Sequence, residues 1–148
     1  MDTRVPSLTV DCVVFDPDGR LLLIRRKNPP FRGRYALPGG YVDYGETTEH
    51  AATRELAEET GLVAATVSLV GVYSDPQRDP RGHVVSIAYR VGVTRYDVRA
   101  GDDAAAAAFV ADWRDQELAF DHRKIVDDAL RDGGSKSSCV FSALVPKA

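Results

Sequence analysis

The 148-residue sequence has little cysteine, no long apolar run and almost no excess of charge of either sign. Its two cysteines, Cys12 and Cys139, lie far apart and do not have the spacing of metal ligands, which argues against a cysteine-bound metal. No apolar run approaches the roughly 18 residues of a membrane span. The segment 1–11 also lacks the basic and then apolar pattern of a secretion signal. We therefore expect a cytoplasmic protein with reduced thiols and no membrane partner.

The near balance of charge also limits the partners of the chain. A net charge of −3, from 19 basic and 22 acidic residues, gives no overall electrostatic reason to bind a nucleic-acid polymer. Small anionic ligands remain compatible because they require only a local basic patch. Length and composition are those of an ordinary globular domain, so we expect a single domain over 1–148, with 134–148 as a flexible tail.

Strand and helix patterns are mixed along the chain rather than strictly alternating. Turn residues separate the apolar segments, and strands are predicted over 8–15, 20–26, 35–37, 66–74, 83–93 and 109–113. Helices are predicted over 47–60 and 121–131. The first two strands are expected to form a hairpin, and 83–93 is expected to pair with 66–74. This order favours an α+β fold with a mixed central sheet between helices.

Three carboxylates share one face of the first predicted helix, which has Thr47 as its expected N-cap and stops at Gly61. Glu55, Glu58 and Glu59 stand three and four residues apart, so they project from the same side. Like charges at this spacing repel by a few tenths of a kcal/mol per pair. Acids near a helix C-terminus are disfavoured by a further ~0.3–1 kcal/mol each at exposed sites. Such a local conflict is typical of functional sites.

A hard divalent cation would relieve this conflict, because carboxylate oxygens are the ligands that Mg²⁺ prefers in proteins. The alternative is a solvated acidic face that is tied together by an ion pair between Arg54 and Glu58. The preceding turn favours the metal. Gly39 and Gly40 allow the backbone to approach a ligand closely and to lend it a carbonyl oxygen.

A longer pattern surrounds these acids. Gly40 is followed after five residues by Glu46, and after seven more by the run RELAEETGL at 54–62. This pattern resembles the box of the Nudix hydrolase family at every fixed position. The order of the flanking strands is similar to the α/β/α sandwich of that family, so the resemblance spans most of the chain.

The resemblance implies a role for each box residue. Box glutamates and a loop carbonyl would bind two or more Mg²⁺ ions, or Mn²⁺: Glu55, Glu58, Glu59, Gly39 and Gly40. Arg54 would orient the glutamates through a salt bridge, Glu46 would brace the loop against the helix, and Gly61 would end the helix. These expectations are carried over from the family by motif position.

The reaction implied by the resemblance is Mg²⁺-dependent hydrolysis of the pyrophosphate bond in a nucleoside diphosphate that carries another group. The metals would neutralise the diphosphate, and a carboxylate would activate the attacking water. The general base varies between members of the family. Glu55 and Glu58 are candidates within the box, and Asp102 and Asp103 are candidates on a later loop. A turn or cap role is the alternative for the two aspartates.

Features outside the box bear on the substrate. Pro76, fifteen residues after Gly61, resembles the ADP-ribose pyrophosphatase group, which would release AMP and ribose 5-phosphate. A rigid turn is the alternative explanation of this proline. A basic cluster within 25–34 would hold the second phosphate or steer the anion. The candidate substrate contacts are Arg25, Arg32, Arg34, Tyr35, Tyr73 and Pro76, with solvated or packing roles as the alternative.

Two rival functions remain open at this point. One is hydrolysis of ordinary or oxidised nucleoside triphosphates such as 8-oxo-dGTP. The other is a non-catalytic Nudix domain that senses an ADP-ribose-like ligand. The intact glutamates favour catalysis, since a sensor does not need all of them. Related enzymes are often dimers, so a homodimer through the N-terminal strand or the 139–148 tail is a further expectation.

Overall fold

The computed structural model describes residues 2–101 and 104–131, together with the backbone of 139–140. Strands span Ser7–Val13 (β1), Leu21–Arg26 (β2), Tyr35–Ala36 (β3), Gly39–Tyr41 (β4), Ala64–Tyr73 (β5), Val84–Val93 (β6), Ala104–Val110 (β7) and Cys139–Val140 (β8). Helices span Thr48–Thr60 (α1) and His122–Arg131 (α2), and a 3-10 turn spans Trp113–Asp115. Neither described helix is long and apolar enough to cross a membrane.

The strands form two sheets. The larger has the order β4-β1-β6-β5-β8 and is mixed, because β1 and β6 run parallel while its other neighbours run antiparallel. The smaller sheet has the order β3-β2-β7 and is antiparallel throughout. The predicted pairing of the strands at 66–74 and 83–93 is confirmed as the pairing of β5 with β6.

The predicted hairpin of the first two strands is confirmed only at its turn, where the Leu22 N–H donates to the Val14 carbonyl at 2.9 Å, and does not extend along the strands. The chain does reverse after Phe15, which bridges to Leu21, but β1 then pairs with β4 and β6 whereas β2 joins the other sheet. The reason lies in burial, since every residue of 10–13 and of 21–24 is buried. Strands that are apolar on both faces need cover on both sides, and interior positions in two packed sheets supply it.

Two further strand predictions are corrected. The strand predicted at 109–113 runs over Ala104–Val110 instead, and Trp113 lies in the 3-10 turn. Alanine has low strand propensity, so the alanine run shows no strand pattern by itself, and pairing with β2 imposes one. The glycine pair that the sequence assigns to a turn forms β4, which pairs with β1 through Asp11↔Gly39 and Val10↔Gly40.

The two helices cover opposite faces of the large sheet. Leu56 of α1 packs in one core cluster with Val10 and Cys12 of β1. Ile125 of α2 packs in a second cluster with Val13. Because alternate residues of a strand point to opposite faces, β1 contributes to both layers. The expected α+β sandwich of α/β/α type with a mixed sheet is confirmed, with a small antiparallel sheet beside it.

The ends of α1 agree with the sequence prediction. Thr47 is the N-cap, and its side chain accepts a hydrogen bond from the backbone N–H of His50 at 3.1 Å. Gly61 ends the helix with φ of 76°, and its N–H donates to the Ala57 carbonyl at 2.9 Å. Glycine adopts this left-handed conformation without strain. The helix that carries the acidic cluster is therefore fixed at both ends.

Candidate active site

A cleft of about 470 Å³ opens between α1, the β1–β4 edge and the loops that precede β6 and α2. Its acidic wall contains Asp43, Glu55, Glu58 and Glu59. Its basic wall contains Arg26, Lys27, Arg78 and Arg81. Acidic side chains attract a cation and basic side chains attract an anion, so the cleft is complementary to an anionic ligand that is bound together with cations.

Glu59 is the most deeply buried of the box glutamates, with 8% of its surface exposed. Its Oε1 accepts a hydrogen bond from the Gly39 backbone N–H at 2.8 Å. Burial raises the pKa of Glu59 to about 8; the Gly39 N–H opposes this shift, and the charges of Glu55 and Asp11 add to it. Such a carboxylate is unfavourable as an anion unless a cation lies beside it.

The Glu55 carboxylate lies directly against the backbone of Gly40 in β4. A Cβ on Gly40 would lie 2.6 Å from the carboxyl carbon of Glu55, so no other residue fits there without displacing that carboxylate. Burial raises the pKa of Glu55, the hydrogen bond from Arg54 opposes the shift, and the charge of Glu58 adds to it. A backbone turn and two partly desolvated carboxylates therefore meet at one side of the cleft.

Arg54 connects the acids of the box. Its Nε donates to Glu46 Oε2 at 2.7 Å and its Nη2 to Glu46 Oε1 at 2.9 Å, which makes the pair bidentate. Its Nη1 donates to Glu55 at 2.8 Å and to Glu58 at 3.2 Å. The Arg54 hydrogen bonds lower the pKa of Glu46 to about 2. These contacts suit the orienting and bracing roles predicted for Arg54 and Glu46, which stay predictions.

The donors of the acidic wall fit a divalent cation. They are carboxylate and carbonyl oxygens, and two of the carboxylates, Glu55 and Glu59, have raised pKa values because burial leaves their charge poorly solvated. In the part of the chain that the structure describes, no three His, Cys, Asp or Glu side chains are arranged as a complete metal site. Mg²⁺ does not require one, since it binds through one or two carboxylates and takes phosphate oxygens and water as its other ligands.

Two of the candidate general bases, Glu55 and Glu58, differ in exposure. The side chain of Glu58 is 58% exposed and that of Glu55 is 15% exposed. Asp102 and Asp103 lie outside the described residues. Gly101, the residue before them, donates its backbone N–H to the Glu59 carbonyl at 2.9 Å. The start of this loop is therefore joined to the end of α1.

The basic residues predicted to contact substrate lie away from the cleft, as far as the described residues define its lining. The Arg25 guanidinium stacks over the Tyr35 ring at 4.1 Å and donates to the Gly33 carbonyl. Arg34 pairs with Glu117, and Arg32 donates to the Lys27 carbonyl. Successive strand residues point to opposite faces, so Arg26 lines the cleft where Arg25 does not.

Of the three other predicted substrate contacts, Tyr35 is also absent from the described lining of the cleft, and Tyr73 and Pro76 lie in or near a different cavity. Tyr73 lines a cavity of about 520 Å³ between β5 and α2, and its hydroxyl donates to Asp128 at 2.7 Å. Pro76 belongs to the loop after β5 and is absent from the described lining of the cleft. The 520 Å³ cavity is slightly the larger, but it contains none of the box acids, and we therefore assign the chemistry to the cleft.

Sequence reasoning missed the aromatic centre of the basic wall. Phe120 has a left-handed backbone with φ of 53°, which is uncommon for a residue with a side chain. Arg26 and Arg81 each place a guanidinium over its ring, at 5.0 Å and 5.5 Å from the centroid. Burial lowers the pKa of Arg26, and the like charge of Arg81 adds to this shift. The three residues come from distant parts of the chain, so no local pattern indicates them.

Comparison with known proteins shows which family this chain resembles. The NUDIX domain family matches residues 5–130. An ADP-ribose pyrophosphatase of Methanocaldococcus jannaschii is 51% identical over 126 residues, which cover 85% of this chain and 74% of that protein. The ADPR responsive transcriptional repressor NtrR of Acinetobacter baylyi is 31% identical over 140 residues, which cover 87% of this chain but only 55% of the repressor.

A solved structure agrees with the fold. The NUDIX domain of Shewanella oneidensis NrtR, complexed with ADP ribose, matches with a TM-score of 0.81 at 30% identity. The match covers 88% of this chain and 92% of that domain. The family match contains the box, both helices apart from the last residue of α2, and the cleft. The chain therefore belongs to the Nudix family.

Proposed function

We propose that this Nudix hydrolase cleaves the pyrophosphate bond of ADP-ribose and releases AMP and ribose 5-phosphate. The observation that carries the proposal is the pairing of an acidic and a basic wall in one cleft. A pyrophosphate group can then contact cations on one side and guanidinium groups on the other. The 51% identical relative is an ADP-ribose pyrophosphatase, and the NrtR domain of similar fold is complexed with ADP ribose.

We propose that two or more Mg²⁺ ions, replaceable by Mn²⁺, bind at the acidic wall. Their proposed ligands are Glu55, Glu58, Glu59 and the carbonyl of Gly39 or Gly40. Bound ions of this kind neutralise a diphosphate and make a water molecule more acidic. Arg54 holds the Glu55 and Glu58 carboxylates in position, and the Gly39 N–H holds Glu59.

A carboxylate is proposed to take the proton of the attacking water. Glu58 is the first candidate, because it is the most exposed box glutamate and its carboxylate is oriented by Arg54. Asp102 and Asp103 are the second candidates, because they directly follow Gly101 at the end of α1. Asp102→Asn and Asp103→Asn decide between them, because Glu58→Gln also removes a proposed metal ligand. A loss of the ~10²–10⁴-fold expected of proton transfer in one aspartate variant would identify that residue as the base, and rates near wild type in both would favour Glu58.

The basic wall is proposed to hold the phosphate that faces away from the metals. Arg26 and Arg81 lie beside Phe120, and the repulsion between their charges is offset in part by Asp79, which pairs with Arg81 at 2.8 Å. An anion between them would remove this repulsion and accept charge-assisted hydrogen bonds. This contact would replace the predicted contacts of Arg25, Arg32 and Arg34.

The testing experiment incubates the purified protein with Mg²⁺ and separate substrates: ADP-ribose, NADH, diadenosine polyphosphates, 8-oxo-dGTP and ordinary dNTPs. Products are separated by ion-exchange chromatography, and Glu58→Gln and Glu59→Gln are measured beside the wild type. Glu117→Gln is the matched control, because Glu117 is an exposed glutamate outside the cleft. We expect AMP and ribose 5-phosphate from ADP-ribose, with loss in the two box variants only. Turnover of triphosphates alone would contradict the substrate assignment.

A relative that is a repressor and a solved domain complexed with ADP ribose favour a second candidate function. The chain resembles an ADPR responsive repressor and an NrtR domain complexed with ADP ribose, so a role in sensing this ligand is the alternative. Binding of ADP-ribose without hydrolysis would favour the sensor. A cytoplasmic location, a homodimer and the absence of a nucleic-acid partner stay predictions of the same proposal.

A further inference from the structure

A buried polar network contacts the backbone of residues 37–39 and includes no residue of the box. Three of its members, Asp11, Arg78 and His122, also line the cleft. Its members come from β1, β6, the loop between β5 and β6, and the start of α2: Asp11, Ser86, Arg78, Asp121 and His122. Asp11, Ser86 and His122 are buried, and the Arg78 side chain is 4% exposed. Buried charges are expensive even when they are paired, so such a network is weak support for a role in stability alone.

His122 is the member that contacts the backbone just before β4. The Leu37 N–H donates to His122 Nδ1 at 3.0 Å. A nitrogen that accepts this hydrogen bond carries no proton, so the ring proton is on Nε2. Nε2 lies 3.3 Å from Asp11 Oδ1, in position to donate to it. The two contacts therefore select one tautomer and one orientation of the ring.

Asp11 is in turn held by several groups. Its Oδ2 accepts a hydrogen bond from the Ser86 hydroxyl. The Arg78 guanidinium lies 4.0 Å from the same carboxylate and is paired with Asp121 at 2.6 Å. Because His122, Ser86 and Arg78 surround the carboxylate, the position of Asp11 is fixed with respect to both β6 and α2.

Asp11 also touches the turn directly. A Cβ on Gly39 would lie 2.7 Å from Asp11 Oδ1, so the glycine backbone rests against this carboxylate. The same Gly39 donates its N–H to Glu59, and the Pro38 carbonyl accepts from the Cys12 N–H at 2.8 Å. The backbone of 37–39 is thus held by a hydrogen bond at each residue, which sets the direction in which Gly39 and Gly40 present their carbonyls.

We propose that Asp11 and His122 are positioning residues, which hold the 37–40 backbone so that its carbonyls and Glu59 face the cleft in the geometry that a divalent cation requires. The proposal rests on the proposed function for the metal ligands but not for the substrate. It assigns a role to the start of α2, which is distant in sequence from the box. Groups that orient metal ligands typically affect metal affinity or activity by ~10–100-fold when they are replaced.

The test replaces each positioning residue and measures metal binding as well as activity. Asp11→Asn removes the carboxylate charge. His122→Asn keeps an acceptor near the place of Nδ1 for the Leu37 N–H, whereas His122→Gln extends toward Asp11 and gives up that acceptor. Asp128→Asn is the matched control, since Asp128 lies on the same helix and bonds Tyr73, Lys124 and Arg131 instead of the turn.

Two quantities are measured for each variant: the affinity for Mn²⁺ alone, from the electron paramagnetic resonance of free Mn²⁺, and the Mg²⁺ concentration that gives half-maximal turnover. We expect Asp11→Asn and His122→Gln to weaken Mn²⁺ binding and to raise the Mg²⁺ requirement by about 10–100-fold, with little change in KM for the nucleotide. His122→Asn should retain more of the affinity than His122→Gln, and Asp128→Asn should match the wild type.

The proposal is overturned if these variants lower the melting temperature but leave Mn²⁺ affinity and the Mg²⁺ requirement unchanged, because the network is then structural only. If a variant at Asp11 or His122 does not fold, Ser86→Ala provides the milder test, since it removes one hydrogen bond to Asp11 and is expected to weaken Mn²⁺ binding less. The Mn²⁺ measurement needs no substrate. A wild-type protein that does not hydrolyse ADP-ribose would therefore contradict the proposed function. The Mn²⁺ affinities of the variants would still test the positioning role of Asp11 and His122.

Discussion

The two walls of the cleft are assembled in different ways. The acidic wall comes from one stretch of chain, from Gly39 in β4 to the end of α1. Arg54 joins its acids through contacts within this stretch. The basic wall combines the end of β2, the loop before β6 and the residue Phe120 before α2. The wall proposed to bind metal is local and the wall proposed to contact the substrate is assembled from distant segments, so the two can change separately.

This difference has a physical basis. Metal ligands on one helix need only the fixed spacing of residues three and four apart. A surface that faces a substrate has no such internal repeat, because its shape follows from how loops meet at the edge of the sheets. Substitutions in one wall should therefore leave the other wall unchanged.

The largest effect is expected when the acidic wall is distorted without removing an acid. Gly40→Ala places a methyl group 2.6 Å from the Glu55 carboxyl carbon and must displace it. Displacement of a reacting group by about 1 Å costs on the order of 100-fold in rate, so we expect kcat to fall by about that factor. Steady-state kinetics measure it. The control is Gly71→Ala, whose methyl group meets its nearest neighbour at 3.6 Å. Equal loss in both variants would contradict the prediction.

We expect substitutions in the basic wall to raise KM and to leave kcat nearly unchanged. Arg26→Gln and Arg81→Gln each remove a charged donor beside Phe120, which we expect to weaken substrate binding by about 1.5–3 kcal/mol, or roughly 10–100-fold. Arg25→Gln is the matched control, because Arg25 is the adjacent residue of β2 and contacts Tyr35 outside the cleft. If Arg25→Gln raises KM as much as Arg26→Gln, then the assignment of the basic wall is wrong.

The smallest effect concerns the stability of the metal-free protein. Burial raises the pKa of Glu59 to about 8, above its ordinary value of 4.5. Between these two values the unfolded chain has released this proton while the folded protein retains it, so stability falls as pH rises from about 4.5 to about 8. We expect the melting temperature to decrease across this range and Glu59→Gln to decrease less. Thermal unfolding in EDTA at several pH values tests this, and equal slopes for both proteins would contradict it.

Predictions from the sequence succeeded where short-range patterns suffice. The caps of α1 at Thr47 and Gly61, the pairing of β5 with β6 and the α+β class with a mixed sheet all follow from local spacing and alternation. They failed where partners are distant. The hairpin prediction for β1 and β2 ignored that both strands are buried on both faces, and β7 is hidden in an alanine run that becomes a strand only beside β2.

The sequence by itself determined the family and the acidic face of α1, because residues at 54–62 are linked by the geometry of a single helix. Only the tertiary structure decided that Arg26 rather than Arg25 lines the cleft, since the strand alternates and its register is set by β3 and β7. It also decided that His122 contacts Leu37, 85 residues away. Contacts of this kind arise from packing, which brings together residues that no periodicity relates.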